Sequence, residues 1–361
     1  MATKILFLIN YAGNGGSEKY VDDLVRIFTA QGKDCRLCYN VPGALSERLE
    51  ARGVPAFRLD FSRRAALASA RKLAGYCREN GIDVLHAQYP AENVVALLSL
   101  RHYPAPKVVF TNHLTLRAGR LWRMINRALT PKLHRAIAVC AEGRRVLIEN
   151  GFPPEKVVVI PNGVEPDEYP VKDLSVRPEL GLGEREFMVT TLARCVPEKG
   201  LGFLLDAVSK LRGMTDRPFR CVVCGDGPLL PELKEKAAQL GIADRVLFAG
   251  YRSDGGRILR AADLYVNSSS SEAMSFGLLE AMNAALPLVV TALETNRELA
   301  EGGPACGIAV EYGDAEGFAK AVLRLMEDEA LYREYSANAR RKVLEVYDLS
   351  KLAGDVYRAY Q

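Results

Sequence analysis

Two carboxylates, Glu272 and Glu280, flank the run Ala273-Met274-Ser275-Phe276-Gly277-Leu278-Leu279. A carboxylate accepts hydrogen bonds on both oxygens, which suits vicinal hydroxyls. The polar stretch Ser268 to Ser271 precedes the pair and good helix formers follow it. This predicts Glu272 at a strand-to-helix turn and Glu280 two turns down the helix, about 80° apart around its axis. Glu280 would then clasp a ribose and Glu272 a sugar. Backbone N–H groups near Ser275, Phe276 and Gly277, at the helix N-terminus, would face a diphosphate. Either glutamate taken singly is more often a solvated helix residue.

Cations stand upstream in Ala193-Arg194-Cys195-Val196-Pro197-Glu198-Lys199-Gly200. Arg194 and Lys199 follow an apolar run and open a helical pattern, where they can converge on a diphosphate. Fixed positive charge stabilises a departing nucleotide more than the bound ground state, and can replace a divalent metal. No Asp-x-Asp metal motif occurs, so neither metal nor cofactor is expected. The alternative is a pair of loop cations. Gly225-Asp226-Gly227-Pro228 predicts a tight turn after another strand. In the first half, Gly13-Asn14-Gly15-Gly16-Ser17-Glu18 leads from a strand ending at Asn10 into a helix. It is not Gly-x-Gly-x-x-Gly, and no acid caps the next strand, which disfavours a dinucleotide. A glycine-rich helix start still accepts an anion. Of the four histidines, His113 ends an apolar run; His86 lies inside one, and His102 and His134 are in helical or loop context. His113 is read as an active-site residue, with a packing histidine as the alternative.

These residues need elements to hold them. Apolar runs fall at 5–9, 35–39, 56–60, 83–87, 107–112, 136–140 and 156–160, then at 187–193, 220–225, 245–249, 263–267, 287–291 and 307–311. Near-continuous runs such as Val157-Val158-Val159-Ile160 suit parallel strands buried on both faces. Helical patterns lie between most of them, for example 17–31, 64–80, 200–213, 231–240 and 315–327, and the Tyr-rich tail 329–361 is helical too. The alternation predicts α/β architecture with two Rossmann-like domains, whose strand carboxyl ends border a ligand cleft. The break falls at Pro161-Asn162-Gly163-Val164. Residues 165–186, with Pro166, Pro170 and Pro178, read as a linker.

The chain has 361 residues, no apolar run near the roughly 20 that a membrane span needs, and a net charge of +4. Residues 1–165 carry 24 Lys and Arg against 14 Asp and Glu; the remainder carries 24 against 30. A basic first half predicts an anionic partner. Residues 114–135 set six basic residues among Leu116, Leu121, Trp122, Ile125 and Leu129, as in an interfacial helix on anionic lipid; a solvated face is the alternative. No aromatic-basic stacking pattern supports nucleic acid. Cys35/Cys38 and Cys221/Cys224 have zinc-pair spacing, but in strands residues three apart face opposite sides. Reduced thiols and a cytoplasmic location, peripheral on the inner membrane face, are expected.

Together, Gly15-Gly16-x-Glu18, Ile160-Pro161-Asn162-Gly163-Val164, Arg194 with Lys199, Gly225-Asp226-Gly227-Pro228 and the Glu272/Glu280 pair resemble family 4 of the retaining glycosyltransferases, over nearly the whole chain and in order. The resemblance implies the GT-B fold and metal-independent transfer with retention. It implies an acceptor-binding domain at 1–164, a donor domain at 165–344, and a last helix, 345–361, packing back on the first. Arg194 and Lys199 would bind the donor phosphates, with Gly225 beside them; Glu280 would hold the ribose and Glu272 the sugar. His113 would touch the sugar from the first domain, Gly16 would lie near the diphosphate, and Asn14 and Gly15 would lie near the acceptor. Ala273, Ser275 and Ala285 stand where the family often has glycine, Glu165 where Asp is usual, and Glu294-Thr295 where Gly-Gly is frequent. The expected partners are a nucleotide-diphosphate sugar, a UDP-sugar first and GDP-mannose second, and a glycan or lipid-linked acceptor. A nucleotide-sugar 2-epimerase and a silent sugar-nucleotide-binding module are the alternatives.

Overall fold

A computed structural model describes residues 2–167, 172–183 and 185–361. All thirteen apolar runs become strands. The chain divides into one unit of Met1–Asn162 with Leu349–Gln361 and another of Gly163–Asp348.

The first unit alternates β1 (Lys4–Tyr11), α1 (Gly16–Ala30), β2 (Asp34–Val41), α2 (Ala44–Ala51), β3 (Ala56–Arg58), α3 (Ala66–Asn80), β4 (Val84–Ala87), α4 (Pro90–Ser99), β5 (Lys107–Asn112), α5 (Arg120–Leu129), β6 (Arg135–Ala138), α6 (Ala141–Glu149) and β7 (Val157–Val159). Its sheet is parallel, in the order β3-β2-β1-β4-β5-β6-β7. Ile5 to Ile9 are wholly buried because helices cover both faces, which is why the sequence shows an unbroken apolar run rather than an alternating one. The order reverses between β1 and β4. Loops leaving those strands therefore diverge, the place where open α/β sheets bind ligands.

The second unit repeats the scheme with α7 (Val176–Glu179), β8 (Phe187–Leu192), α8 (Leu201–Arg212), β9 (Phe219–Cys224), α9 (Leu230–Gln239), β10 (Val246–Gly250), α10 (Gly255–Ala261), β11 (Leu264–Asn267), α11 (Phe276–Asn283), β12 (Leu288–Thr291), α12 (Glu294–Glu301), β13 (Gly307–Val310), α13 (Ala315–Glu327) and α14 (Glu329–Glu345). The order β10-β9-β8-β11-β12-β13 is again parallel and reverses between β8 and β11. One face packs Val189, Cys221, Val223 and Val266 under α8 and α13; the other packs Met188, Val222, Cys224 and Tyr265 under α11. Cys221 and Cys224 thus face opposite sides, and all eight cysteines are free and buried.

The last helix, α15 (Leu349–Arg358), belongs to the first unit. Tyr357 and Tyr360 flank the Phe28 ring at 5.9 Å each. Tyr357 Oη hydrogen-bonds Thr3 Oγ1 at 2.9 Å, and Lys107 Nζ donates to the Tyr360 carbonyl at 3.0 Å.

Three expectations need correction. Residues 172–183 are not a linker. Val176 is wholly buried, and Arg177, also buried, donates to Asp263 at 2.6 Å and to the Ala261 carbonyl at 2.8 Å. A four-residue helix is too short to show periodicity, and its ion-pair partner lies far off in sequence. Residues 168–171, Pro170 among them, and Glu184 lie outside the described residues. Within 114–135 only α5 is an α-helix. The segment before it is held extended by Asn150, which accepts from the Ala118 N–H at 2.7 Å and donates to the Leu116 carbonyl at 3.0 Å. Finally, α11 begins at Phe276, so Glu272 sits on the preceding loop and shares no helical face with Glu280.

Candidate functional site

In the second unit the loops after β8 and β11 meet at the switch point. The Ser268 hydroxyl donates to the Lys199 carbonyl at 2.9 Å, and the Ser270 N–H donates to the Glu198 carbonyl at 2.9 Å. This brings Lys199 Nζ into an ion pair with Glu272 Oε1, which also accepts from the Ser269 hydroxyl at 3.0 Å. Both side chains are largely buried, at 19% and 11% exposure. Gly200 makes the approach possible. Its φ is +60°, and a Cβ there would lie 2.1 Å from the Ser268 carbonyl oxygen. Arg194 is not part of this pair; it is 71% exposed and lies 3.6 Å from Glu198.

The turn after β9 supports the same loop. The Cys195 N–H donates to the Asp226 carbonyl at 2.8 Å, and the Leu229 N–H donates to the Cys195 carbonyl at 3.1 Å. Gly225 adopts φ +150°, where an added Cβ would fall 1.9 Å from the Ala193 carbonyl oxygen. Arg194 and the Gly-Asp-Gly-Pro turn are therefore parts of one backbone construction.

Glu280 lies on α11, and Ser275 caps that helix without a side-chain bond. The N-terminus of a helix carries partial positive charge, so the first turn at Phe276 and Gly277 suits an anion. Tyr265 sits beneath and was missed by sequence reasoning. A Cβ on Gly277 would lie 2.4 Å from its hydroxyl, and that hydroxyl accepts from the Leu192 N–H at 3.3 Å. Burial, and then the negative fields of Glu280 and Glu272, hold it protonated. A tyrosine inside the apolar strand Leu264-Tyr265-Val266 was the available signal.

The first unit places its residues around β1, β4 and β5. Gly15 caps α1, and Gly16 is the helix's first residue. Asn14 is exposed and accepts from Arg48 at 3.4 Å. Glu18 folds back over Gly15 and accepts from Ser17 Oγ at 2.8 Å; Ser17 Oγ also bonds Tyr89 Oη at 2.7 Å. His113 follows β5 with its ring between Tyr20, 5.0 Å away, and Tyr89, 6.1 Å away. Burial lowers its pKa to about 3, so the imidazole is neutral at physiological pH. His86 is buried deeper, bonding Tyr360 Oη and Thr111 Oγ1 at 2.7 Å each, and burial again lowers its pKa to about 3. Glu92, at the start of α4, accepts from the Asn10 N–H at 2.6 Å, while its Oε2 has no partner; burial raises its pKa to about 7. Neither Glu92 nor Gln88 was singled out from the sequence.

Two Rossmann-like domains with parallel sheets of seven and six strands, each with polar residues at its switch point, make the GT-B fold. Residues 14–168 match the family model described as Glycosyltransferase Family 4, and residues 174–342 match that described as Glycosyl transferases group 1. The chain is 30% identical over 310 residues to the phosphatidyl-myo-inositol mannosyltransferase of Mycolicibacterium smegmatis, covering 81% of this chain and 75% of that one. It is 26% identical over 333 residues to the UDP-Gal:alpha-D-GlcNAc-diphosphoundecaprenol alpha-1,3-galactosyltransferase of Escherichia coli, covering 88% and 84%. Anabaena Alr3699/HepE, solved in complex with UDP, shares the fold with a TM-score of 0.85 and 21% identity over 99% of each chain. The chain belongs to the family 4 glycosyltransferases.

Proposed function

We propose that the protein moves a hexose or N-acetylhexosamine from a UDP-sugar to a hydroxyl of a lipid-linked or cell-envelope polysaccharide precursor, with retention and without a divalent metal. The observation that carries this is the largely buried Lys199–Glu272 pair at the switch point of the second unit, beside the helix start at Phe276 and Gly277. A cation and a helix N-terminus suit a diphosphate; Glu272 and Glu280 suit hydroxyls. The acceptor oxygen bonds to the anomeric carbon on the side from which the phosphate oxygen departs, and that departing oxygen takes the acceptor's proton. Neutral His113 hydrogen-bonds a substrate hydroxyl without taking its proton.

UDP is favoured because Alr3699/HepE was solved with UDP and the Escherichia coli relative is named for UDP-Gal. That relative and the mycobacterial one both carry a lipid-linked acceptor in their names. Attachment to an anionic membrane surface belongs to the same reading. No residue of α5 is buried; Leu121 and Met124 are 59% and 66% exposed beside exposed Arg120, Arg123 and Arg127. No described helix is long and apolar enough to cross a membrane.

A thermal-shift panel of nucleotides and nucleotide sugars in EDTA tests the donor and the metal together. A ligand at 100 times its Kd adds about 2.7 kcal/mol. Stabilisation by UDP and a UDP-hexose is expected. Stabilisation by guanosine nucleotides alone would make GDP-mannose the donor, and release of free sugar without acceptor would mark an epimerase. Co-sedimentation with anionic but not neutral vesicles, lost in Leu121→Asp/Met124→Asp, is the expected result for the membrane surface.

A further inference from the structure

His113 and Gln88 leave adjacent strands, β5 and β4, at their carboxyl ends. His86 and Gln88 are two positions apart and so share one face of the strand. Gln88 is wholly buried, and its carboxamide lies between two groups. Its Nε2 faces the His86 carbonyl at 3.2 Å, and its Oε1 faces His113 Nε2 at 3.0 Å.

The chemistry of these atoms fixes every proton. A carbonyl oxygen only accepts, so the amide nitrogen must face His86. That leaves the amide oxygen, also only an acceptor, toward His113. Nε2 of His113 must therefore carry the hydrogen. The reversed amide would set oxygen against oxygen beneath His86. A neutral imidazole carries one N–H, so Nδ1 keeps its lone pair. The ring is held against rotation by Tyr20 and Tyr89.

We propose that Gln88 is a positioning residue that locks His113 in the tautomer protonated at Nε2, so that Nδ1 meets the substrate as a hydrogen-bond acceptor. The inference rests on the reading that His113 touches a substrate hydroxyl. An acceptor nitrogen there selects a group that can donate, as a sugar hydroxyl does and an ether or fluorine does not. The lock also explains how a histidine serves the site without acting as a base. Gln88 fixes which nitrogen is bare, and the half-buried ring is held by Tyr20 and Tyr89 to present it.

The test uses the full-length protein labelled with 15N in histidine. His113 is assigned by its loss in His113→Ala. Wild type should show His113 neutral, protonated at Nε2, with a slowly exchanging Nε2–H proton. In Gln88→Met that proton should exchange rapidly and the nitrogen shifts should move toward a mixture of tautomers. His86, bonded to Thr111 and Tyr360, should keep its shifts and so report an intact fold. Transfer measured as kcat/KM should fall about tenfold, the scale of one lost hydrogen-bonded orientation. An Nδ1-protonated His113 in wild type overturns the proposal even if the variant fails to fold, as does an unmoved tautomer in Gln88→Met. A moved tautomer with unchanged kcat/KM overturns the role at the substrate. Failure of the donor reading would show separately, as wild type without transfer from UDP-sugars.

Discussion

The two units use one topology to build opposite kinds of site. In the second unit the switch point holds charge: Lys199 against Glu272, with Arg194 exposed nearby. In the first, beside Glu18 on Ser17, it holds mostly neutral groups in fixed hydrogen bonds: His113 on Gln88, Tyr89 on Ser17, and His86 between Tyr360 and Thr111. Charge suits a ligand whose own charge grows during reaction, because fixed cations stabilise a departing anion most at the transition state. Neutral, tautomer-fixed groups suit hydroxyls, where direction matters more than field. The same strand order supports both because it specifies only where loops diverge; the loop residues decide the chemistry.

The largest effect that can break this contrast is on the charged side. Lys199→Ala should lower kcat about 10²- to 10³-fold, the range for removing one preorganised charge-stabilising donor, with an unchanged circular dichroism spectrum. A loss under tenfold would remove Lys199 from the chemistry.

On the neutral side, Tyr360→Phe leaves His86 Nδ1 without its partner. It should destabilise the first unit by about 1–3 kcal/mol, seen as a lowered Tm for one of two calorimetric transitions. The second unit's transition should not move.

Acid dependence sharpens the contrast further. His86 and His113 are held near pKa 3, below their ordinary 6.5. The unfolded chain binds more protons below pH 6.5, so their contribution to stability is lost as pH falls from 6.5 toward 3. Glu92 is raised from 4.5 to about 7. The folded chain then holds the extra proton, and its contribution grows as pH falls from 7 toward 4.5. The two trends oppose each other between pH 6.5 and 4.5. Glu92→Gln removes one of them, so the variant's first unit should lose stability more steeply with acid than wild type. Equal slopes in denaturant melts across that range would contradict this.

The smallest effect lies at Ala285, where the family often has glycine. It has φ +57°, the one non-glycine residue with positive φ among those described. Ala285→Gly should raise the second unit's stability by about 1 kcal/mol by relieving that conformation, measured as a higher denaturant midpoint.

The sheets were legible because strands buried on both faces write themselves as apolar runs, and the places of His113, Arg194 and Lys199 just beyond strand ends were legible because they follow such runs. The failures share a cause. The packing of α7 depends on Asp263, the His86 network on Tyr360, and the Lys199 pair on Glu272, all partners distant in sequence. The helical-face argument for Glu272 and Glu280 failed because helix starts are weakly marked: no capping side-chain bond fixes α11 at Ser275. Gln88 escaped notice because an amide next to a strand end carries no signal until its neighbour is known.

The place of α15 also bears on how the protein is made. The first unit's sheet leaves the ribosome early, but Tyr357 and Tyr360, which complete its packing at Phe28 and His86, are synthesised after the entire second unit. At roughly 5–20 residues per second, the first unit waits on the order of ten to forty seconds with Nδ1 of that buried histidine unpartnered. A premature stop just before Tyr357 would therefore strike the half of the protein that was translated first.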